Sequence, residues 1–274
     1  MTTPTEPTWR DIDAGGVRLH VGEMGAGPAV LLLHGGGPGA NGWSNFSANA
    51  PALAEHVRVI IPDLPGFGRS DPFVFTEPRP IGTARVLVAL LDALSIQRAH
   101  IVGNSAGGSA AIEIAIEWPA RIDRLVLIGT GNAGPSIFSP LPTEGDKYLG
   151  PAMRDPTPER MRQLLEIMVY DASLVTDELV ASRVASASDP AQRDARRKSV
   201  RKAGEPRAEL ERISAPTLLV WGRDDRFNPY DIGIAALGAI ADARLHIFNR
   251  CGHWAQIEHA DEFNRLVLAH LGAQ

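Results

Sequence analysis

Six short, almost wholly apolar runs, separated by stretches with helical spacing, constrain this 274-residue chain more than any other feature. They cover 29–33, 57–61, 100–102, 124–128, 217–221 and 244–248. A strand that is apolar at consecutive positions is covered on both faces, as in a parallel sheet sandwiched between helices. Helical patterns fall between the runs, over 83–94, 105–117, 230–240 and 259–271. This alternation predicts an α/β fold built of βαβ units: one twisted, mostly parallel sheet flanked by helices, with right-handed crossovers. Ahead of it, 9–13, a turn at Ala14-Gly15-Gly16 and 17–21 read as a short β meander.

The alternation breaks once, between 134 and 212. A proline-rich entry (Pro135, Pro140, Pro142, Pro151, Pro156, Pro158) leads there into helix-like stretches at 158–168 and 177–187. A structureless connection of that length is foreign to a compact domain, so a helical cap, or lid, is expected at 134–212, inserted into a core of 1–133 and 213–274. The cap carries 13 basic and 13 acidic residues, leaving 14 and 19 for the core, so the formal net charge of −5 lies on the core. A weakly acidic chain has no electrostatic footprint for nucleic acid or anionic lipid. Its one cysteine, Cys251, forms no intrachain disulfide. The longest apolar runs, 86–91 and 29–33, fall far short of the roughly 18 residues that suggest a membrane span. Residues 1–8 show neither the positive nor the apolar region of a secretory leader. A soluble, cytoplasmic protein with no membrane or nucleic-acid partner is expected.

The most specific short motif is Gly103-Asn104-Ser105-Ala106-Gly107, a G-x-S-x-G nucleophile elbow between an apolar run and a helical one. The turn is so tight that its flanking positions must be nearly free of side chain, and Ser105 is held in a strained conformation with its hydroxyl exposed. A serine hydroxyl needs a positioned base, itself oriented by a carboxylate, and both partners follow it in the chain. Of the histidines in the last quarter, His246 falls inside a run and His259 and His270 on the final helix. His253 lies on a loop just after 244–248, at the sheet end where sites form. For the acid, 217–221 ends in Gly222-Arg223-Asp224-Asp225-Arg226, and position alone does not separate Asp224 from Asp225. After 29–33 comes His34-Gly35-Gly36-Gly37-Pro38-Gly39, placed to present a bare N–H to an oxyanion, with the N–H of Ala106 as the other donor. No Gly-Lys-Ser/Thr follows, which argues against a phosphate loop. His34 is expected to be a structural hydrogen bonder beneath the loop.

With these motifs assembled, the chain resembles the α/β-hydrolase superfamily and, within it, the meta-cleavage product hydrolases, which cleave carbon–carbon bonds in ring-fission products of aromatic compounds. The resemblance rests on His34-Gly-Gly-Gly-Pro-Gly-Ala-Asn-Gly-Trp-Ser-Asn-Phe46, Asp63-Leu-Pro-Gly-Phe-Gly-Arg-Ser70, Gly103-Asn-Ser-Ala-Gly-Gly108, Val169-Tyr-Asp171, Trp221-Gly-Arg-Asp-Asp-Arg-Phe227 and Cys251-Gly-His-Trp-Ala-Gln256 running into Glu258. The stretch Phe138-Ser-Pro-Leu-Pro-Thr-Glu-Gly145 with Met168-Val-Tyr-Asp171 is similar to members acting on steroid-derived products.

The resemblance implies Asp225 as the acid, oxyanion donors at the backbone of Gly36 and Ala106, and a polar subsite for the dienoate end formed by Asn104, Arg183 and Trp254, with Asn45 lining the pocket. On its own, Arg183 reads as a solvated helix arginine. Its chemical sense in the cap is bidentate capture of a carboxylate. The basic run Arg196-Arg197-Lys198, continuing to Arg201 and Lys202, reads as a solvated helix face, with steering of an anionic substrate as the alternative. The chain departs from the family pattern at Ala106, where many members carry methionine, and at Ile257, where many carry tryptophan.

The reaction implied is hydrolysis of a 2-hydroxy-6-oxo-dienoate by tautomerisation and attack on C6. Ser105, activated by His253 and Asp225, is expected to attack C6 and to carry an acyl group that water removes; direct attack of water through a gem-diol is the alternative. No metal, nucleotide or flavin is expected. Homo-oligomers, at least dimers, are implied by the resemblance. The same serine centre fits a carboxylesterase or lactonase, and the scaffold alone fits a non-catalytic receptor. A haloalkane dehalogenase would carry aspartate at position 105.

Overall fold

The computed structural model describes residues 6–139, 142–200 and 209–273. Its strands are β1 (Thr8–Asp13), β2 (Arg18–Met24), β3 (Ala29–Leu33), β4 (Arg58–Pro62), β5 (Ala99–Asn104), β6 (Ile122–Ile128), β7 (Thr217–Gly222) and β8 (Ala243–Phe248). They form one sheet in the order β1-β2-β4-β3-β5-β6-β7-β8. β1 and β2 pair antiparallel, as does β2 with β4, and every pairing from β4 to β8 is parallel. The opening hairpin turns through Gly15 and Gly16, both at positive φ, with Ala14 N–H donating to Val17 O at 2.8 Å. Each apolar run of the sequence lies on a strand.

The helices are α1 (Gly42–Phe46), α2 (Ala50–Ala54), α3 (Arg79–Ala93), α4 (Ala106–Glu117), α5 (Glu144–Arg154), α6 (Pro158–Met168), α7 (Asp177–Ala187), α8 (Pro190–Lys198), α9 (Asp231–Ala239), α10 (Ala255–Glu258) and α11 (Ala260–Leu271). Alternation along each strand sorts the core into two layers. Leu31, Leu33, Ile101, Leu125, Leu127, Leu219 and Trp221 pack with α3, α4 and α9. Val30, Leu32, Val102, Val126, Ile128, Leu218 and Val220 pack on the other face, with α1, α2, α10 and α11. This double covering is the cause of the unbroken apolar runs.

Between β6 and β7 the described residues contain helices and 3-10 turns but no strand. α6 and α7 have the expected bounds, each started by a threonine whose hydroxyl accepts a backbone N–H: Thr157 from Arg160 and Thr176 from Leu179. α5 and α8 are additional to the sequence reading. α8 has a strongly polar sequence, PAQRDARRK, and α5 contains Pro151, so neither shows a clean helical apolar pattern. α3 starts at Arg79, four residues earlier than its apolar spacing suggests, with Pro80 in its first turn, where a missing N–H is harmless. Pro140 of the proline-rich entry, and Arg201 and Lys202 of the basic run, lie outside the described residues. Buried residues of these helices form a third apolar cluster that also includes Phe227, just after β7, and Trp254, after β8. No helix among the described residues is long and apolar enough to cross a membrane.

Candidate active site

Ser105 sits where β5 turns into α4, at φ 52° and ψ −113°, a conformation that costs on the order of 1–3 kcal/mol in an ordinary chain. The neighbouring glycines make the turn possible. A Cβ on Gly103 would lie 2.6 Å from Gly108 N, and one on Gly107 would lie 2.3 Å from Leu33 O. Parallel pairing of β3 with β5 brings the glycine loop after Leu33 beside the elbow. There a Cβ on Gly36 would meet Ala106 Cβ at 2.9 Å, so the loop packs directly on the first residue of α4. The N–H groups of Gly36 and Ala106 have no hydrogen-bond partner among the described residues, leaving both available to an anion. At the N-terminus of α4 the helix dipole favours negative charge.

β7 and β8 end at the same edge of the sheet and deliver the acid and the base. His253 Nδ1–H donates to Asp225 Oδ2 over 2.8 Å, and Asp225 Oδ1 accepts the N–H groups of Phe227 and Asn228 at 2.8 and 2.9 Å. The pair is buried, with side-chain exposures of 3% for His253 and 0% for Asp225. Asp224 turns elsewhere, its Oδ2 accepting Cys251 N–H at 3.3 Å and its Oδ1 pairing with Arg223. Ser105 and His253 line one cavity of about 210 Å³ with Gly36, Asn45, Asn104, Ala106, Arg183 and Trp254, so all the expected site residues except buried Asp225 meet there. Among the described residues the Ser105 hydroxyl makes no hydrogen bond.

Arg183 is the most telling member of the group. It is 3% exposed rather than solvated, and its guanidinium carbon lies 5.3 Å from the centre of the Trp254 ring. It has no carboxylate partner among the described residues, its Nε is buried without a hydrogen bond, and burial pushes its pKa down to about 10. Asn45 Oδ1 and Asn104 Oδ1 are also buried and unsatisfied. Orphaned polar groups around a cavity carry a desolvation cost that a complementary ligand removes. The Arg183 guanidinium is the donor that suits a carboxylate, and the two asparagine oxygens are acceptors that suit a hydroxyl.

His34 Nδ1–H donates to Gly35 O at 2.8 Å, and its Nε2 accepts Leu64 N–H at 2.9 Å. Both ring nitrogens are thus occupied in holding the glycine loop, and burial pushes the imidazole pKa down to about 4.

Several positioning residues escaped the sequence reading. Gly129, at φ +49°, leaves room for the base and acid: a Cβ there would lie 3.0 Å from His253 Nδ1 and 3.1 Å from Asp225 Oδ2. Its signal was a glycine directly after β6, at the same sheet edge. Glu258 accepts Gly252 N–H at 2.7 Å through one oxygen and Tyr170 N–H at 2.7 Å through the other, joining the histidine loop to the end of α6. His253 N–H donates to Met168 O at 2.7 Å, a second such tie. In the basic run the reading needs correction at Arg196. Arg197 and Lys198 are solvated and pair with Asp194, whereas Arg196 turns inward over the Phe67 ring, 5.7 Å from its centre. One face of α8 is packed and the other wet, which adjacent basic letters do not reveal.

The alpha/beta hydrolase fold family matches residues 28–260. A 2-hydroxy-6-oxononadienedioate/2-hydroxy-6-oxononatrienedioate hydrolase of Cupriavidus pinatubonensis is 46% identical over 264 residues, covering 93% of this chain and 91% of the relative. A 2-hydroxy-6-oxo-6-phenylhexa-2,4-dienoate hydrolase of Burkholderia cepacia is 46% identical over 257 residues, covering 92% and 90%. Among solved structures, a meta-cleavage product hydrolase from Pseudomonas fluorescens superposes with a TM-score of 0.84 at 34% identity, over 96% of this chain and 97% of that one.

Proposed function

This chain belongs to the meta-cleavage product hydrolases of the α/β-hydrolase superfamily, and from that premise we propose that it hydrolyses a carbon–carbon bond in 2-hydroxy-6-oxo-dienoate ring-fission products of aromatic catabolism. The observation that carries this reading is Arg183: a buried guanidinium without a counter-charge among the described residues, in the cavity that holds Ser105. An esterase acting on neutral substrates has no use for such a group. A dienoate carboxylate neutralises it through a planar, charge-assisted contact.

In the reaction so assigned, Arg183, Asn104 and Trp254 hold the carboxylate end, with Asn45 beside them. They favour the keto tautomer, in which the proton has moved from the 2-hydroxyl to C5. His253, oriented by Asp225, takes the Ser105 proton as the oxygen adds to C6, and the C6 oxyanion is received by the N–H groups of Gly36 and Ala106. Collapse breaks the C5–C6 bond. The electron pair passes through the conjugated chain to the C2 oxo group, which is protonated to give a 2-hydroxydienoate. Water, activated by His253, then releases the acid from Ser105. In this reading 134–212 is the cap that supplies Arg183, and 1–133 with 213–274 the core that supplies the rest. The reading extends to a cytoplasmic homo-oligomer: α9 exposes Ile234 and Leu237, and Ile247 is exposed on the neighbouring edge strand β8.

The test is disappearance of the yellow dienoate chromophore. Ser105→Ala is expected to abolish turnover, and full turnover by that variant would end the assignment. Arg183→Ala is expected to lose roughly 100-fold or more in kcat/KM on dienoates, from one buried ionic contact, and much less on p-nitrophenyl esters. Equal losses on both would remove its carboxylate role.

A further inference from the structure

The turn that carries Asp225 is also where two cap helices are seated, through Arg226 and Phe227. Arg226 is half-buried and its side chain reaches the C-terminal end of α6, where Nη2 donates to Glu166 O at 2.5 Å and to Val169 O at 3.1 Å. Its neighbour Asp224 pairs with Arg223 instead, so among the described residues Arg226 serves backbone carbonyls rather than an acid. The last carbonyls of a helix lack intrahelical donors and carry partial negative charge, so a cation is favourable there. α6 has no basic residue in its own last turn, and Arg226 supplies one from the core. The carbonyl oxygen of Arg226 accepts Gly145 N–H, in the first turn of α5, at 2.9 Å. Gly145 lies so close to the Phe227 ring that an added Cβ would stand 2.5 Å from Phe227 Cγ. Arg226 thus holds one end of each of two cap helices, α5 by its backbone and α6 by its guanidinium.

The end of α6 borders the site. Met168 lines the cavity together with Arg183, and a Cβ on Gly37 would lie 3.3 Å from Met168 Cε and 4.0 Å from Arg183 Nη1. Both side chains therefore reach over the same glycine of the oxyanion loop. α6 and α7 are tied at their junction: Arg162 of α6 donates to Val175 O at 3.0 Å and pairs with Asp177, which opens α7. Arg183 follows on α7 less than two turns later. Resting on the function proposed above, we infer that Arg226 is a positioning residue for the carboxylate subsite. It caps α6 from the turn after β7, and through the α6–α7 pair it fixes where the Arg183 guanidinium stands relative to Ser105. Asp225 does not depend on that side chain, because the Phe227 and Asn228 N–H groups already hold its Oδ1. Loss of the Arg226 guanidinium therefore leaves the acid and base in place and loosens the distance between carboxylate anchor and nucleophile. An error of about 1 Å in such a distance is enough to cost a large factor in rate.

The experiment measures kcat/KM for a 6-phenyl dienoate and for p-nitrophenyl acetate in the full-length wild type, Arg226→Met, Arg226→Lys, Arg183→Ala and the double variant Arg183→Ala/Arg226→Met. Arg226→Met is expected to lose roughly 10- to 100-fold on the dienoate, the cost of a misplaced anchor, and less than about twofold on the acetate. Because that loss acts through Arg183, adding Arg226→Met to Arg183→Ala is expected to cost little more. Arg226→Lys keeps a cation at the helix end and is expected to recover part of the dienoate rate. Should the methionine variant not fold, Arg226→Lys carries the test, with a smaller loss still confined to the dienoate. A merely structural role lowers both substrates together and persists without Arg183. Equal losses on both substrates, a full further loss in the Arg183→Ala background, or no dienoate loss in the variants that fold overturns the inference while leaving the C–C hydrolase reading intact. A wild type that hydrolyses the ester but leaves the dienoate untouched overturns both.

Discussion

At the scale of single residues, the chemistry turns on which polar atoms have partners. Asp225 spends one oxygen on two backbone N–H groups and the other on His253, which fixes both the carboxylate and the ring tautomer. Asparagine at 225 would keep the shape but present an N–H to Nδ1 in at least one of its orientations. Asp225→Asn is therefore expected to fold normally and to lose about 10⁴ in kcat, as in other Ser-His-Asp centres. Circular dichroism and single-turnover kinetics check the two halves of that statement, and near-normal turnover would remove Asp225 from the centre. The motif Arg223-Asp224-Asp225-Arg226 left two candidates open on its residues alone, because both aspartates follow the same strand. The direction of each side chain depends on the turn after β7, and only Asp225 reaches the imidazole. Arg183 and Arg196 make the same point more strongly. Each reads as a solvated helix arginine, and what sets each apart is a buried Nε with no hydrogen bond and no carboxylate partner among the described residues.

At the scale of elements, the elbow works because β3, β5 and α4 approach closer than any side chain allows. Gly107 abuts the backbone of Leu33 and His34, so Gly107→Ala must push α4 away from β3 and separate the two oxyanion donors. We expect a loss of about 3 kcal/mol in urea unfolding, at the upper end for overpacking, together with a fall in kcat for any variant that remains folded. Gly238, in α9, meets nothing within 4 Å of an added Cβ. Gly238→Ala is expected to gain up to about 1 kcal/mol through helix propensity and a less flexible unfolded chain. Opposite signs at two helical glycines test the contact rather than the residue type. If both substitutions destabilise equally, the argument from backbone approach fails. The elbow was legible in advance because its spacing requirement is local. α5 and α8 were not, because their helicity depends on what they pack against, and their sequences carry a proline and a crowd of charges instead of a clean apolar stripe.

At the scale of the molecule, His34 couples stability to pH. Folded, its imidazole stays neutral down to about pH 4; unfolded, it titrates near 6.5. Between those values the unfolded chain binds the extra proton, so stability is present above 6.5 and is lost as the pH falls towards 4, by something on the order of 3 kcal/mol. Burial lowers His100 and His270 in the same direction. Urea unfolding followed from pH 7 to pH 4 checks this, with a smaller slope expected in His34→Gln; identical slopes would mean that His34 charges freely in the fold. The sequence by itself determined the strand positions, the two-sided core, the elbow and the loop ends from which acid and base would come, because apolar period and glycine spacing are properties of neighbours along the chain. Only the tertiary structure decided the strand order, the clearance at Gly129, the burial of Arg183 and the inward turn of Arg196, and only it gave the side-chain directions that set Asp225 apart from Asp224. Those depend on distances between segments tens of residues apart, and desolvation, which gives a charge its purpose, exists only once such segments have closed over it.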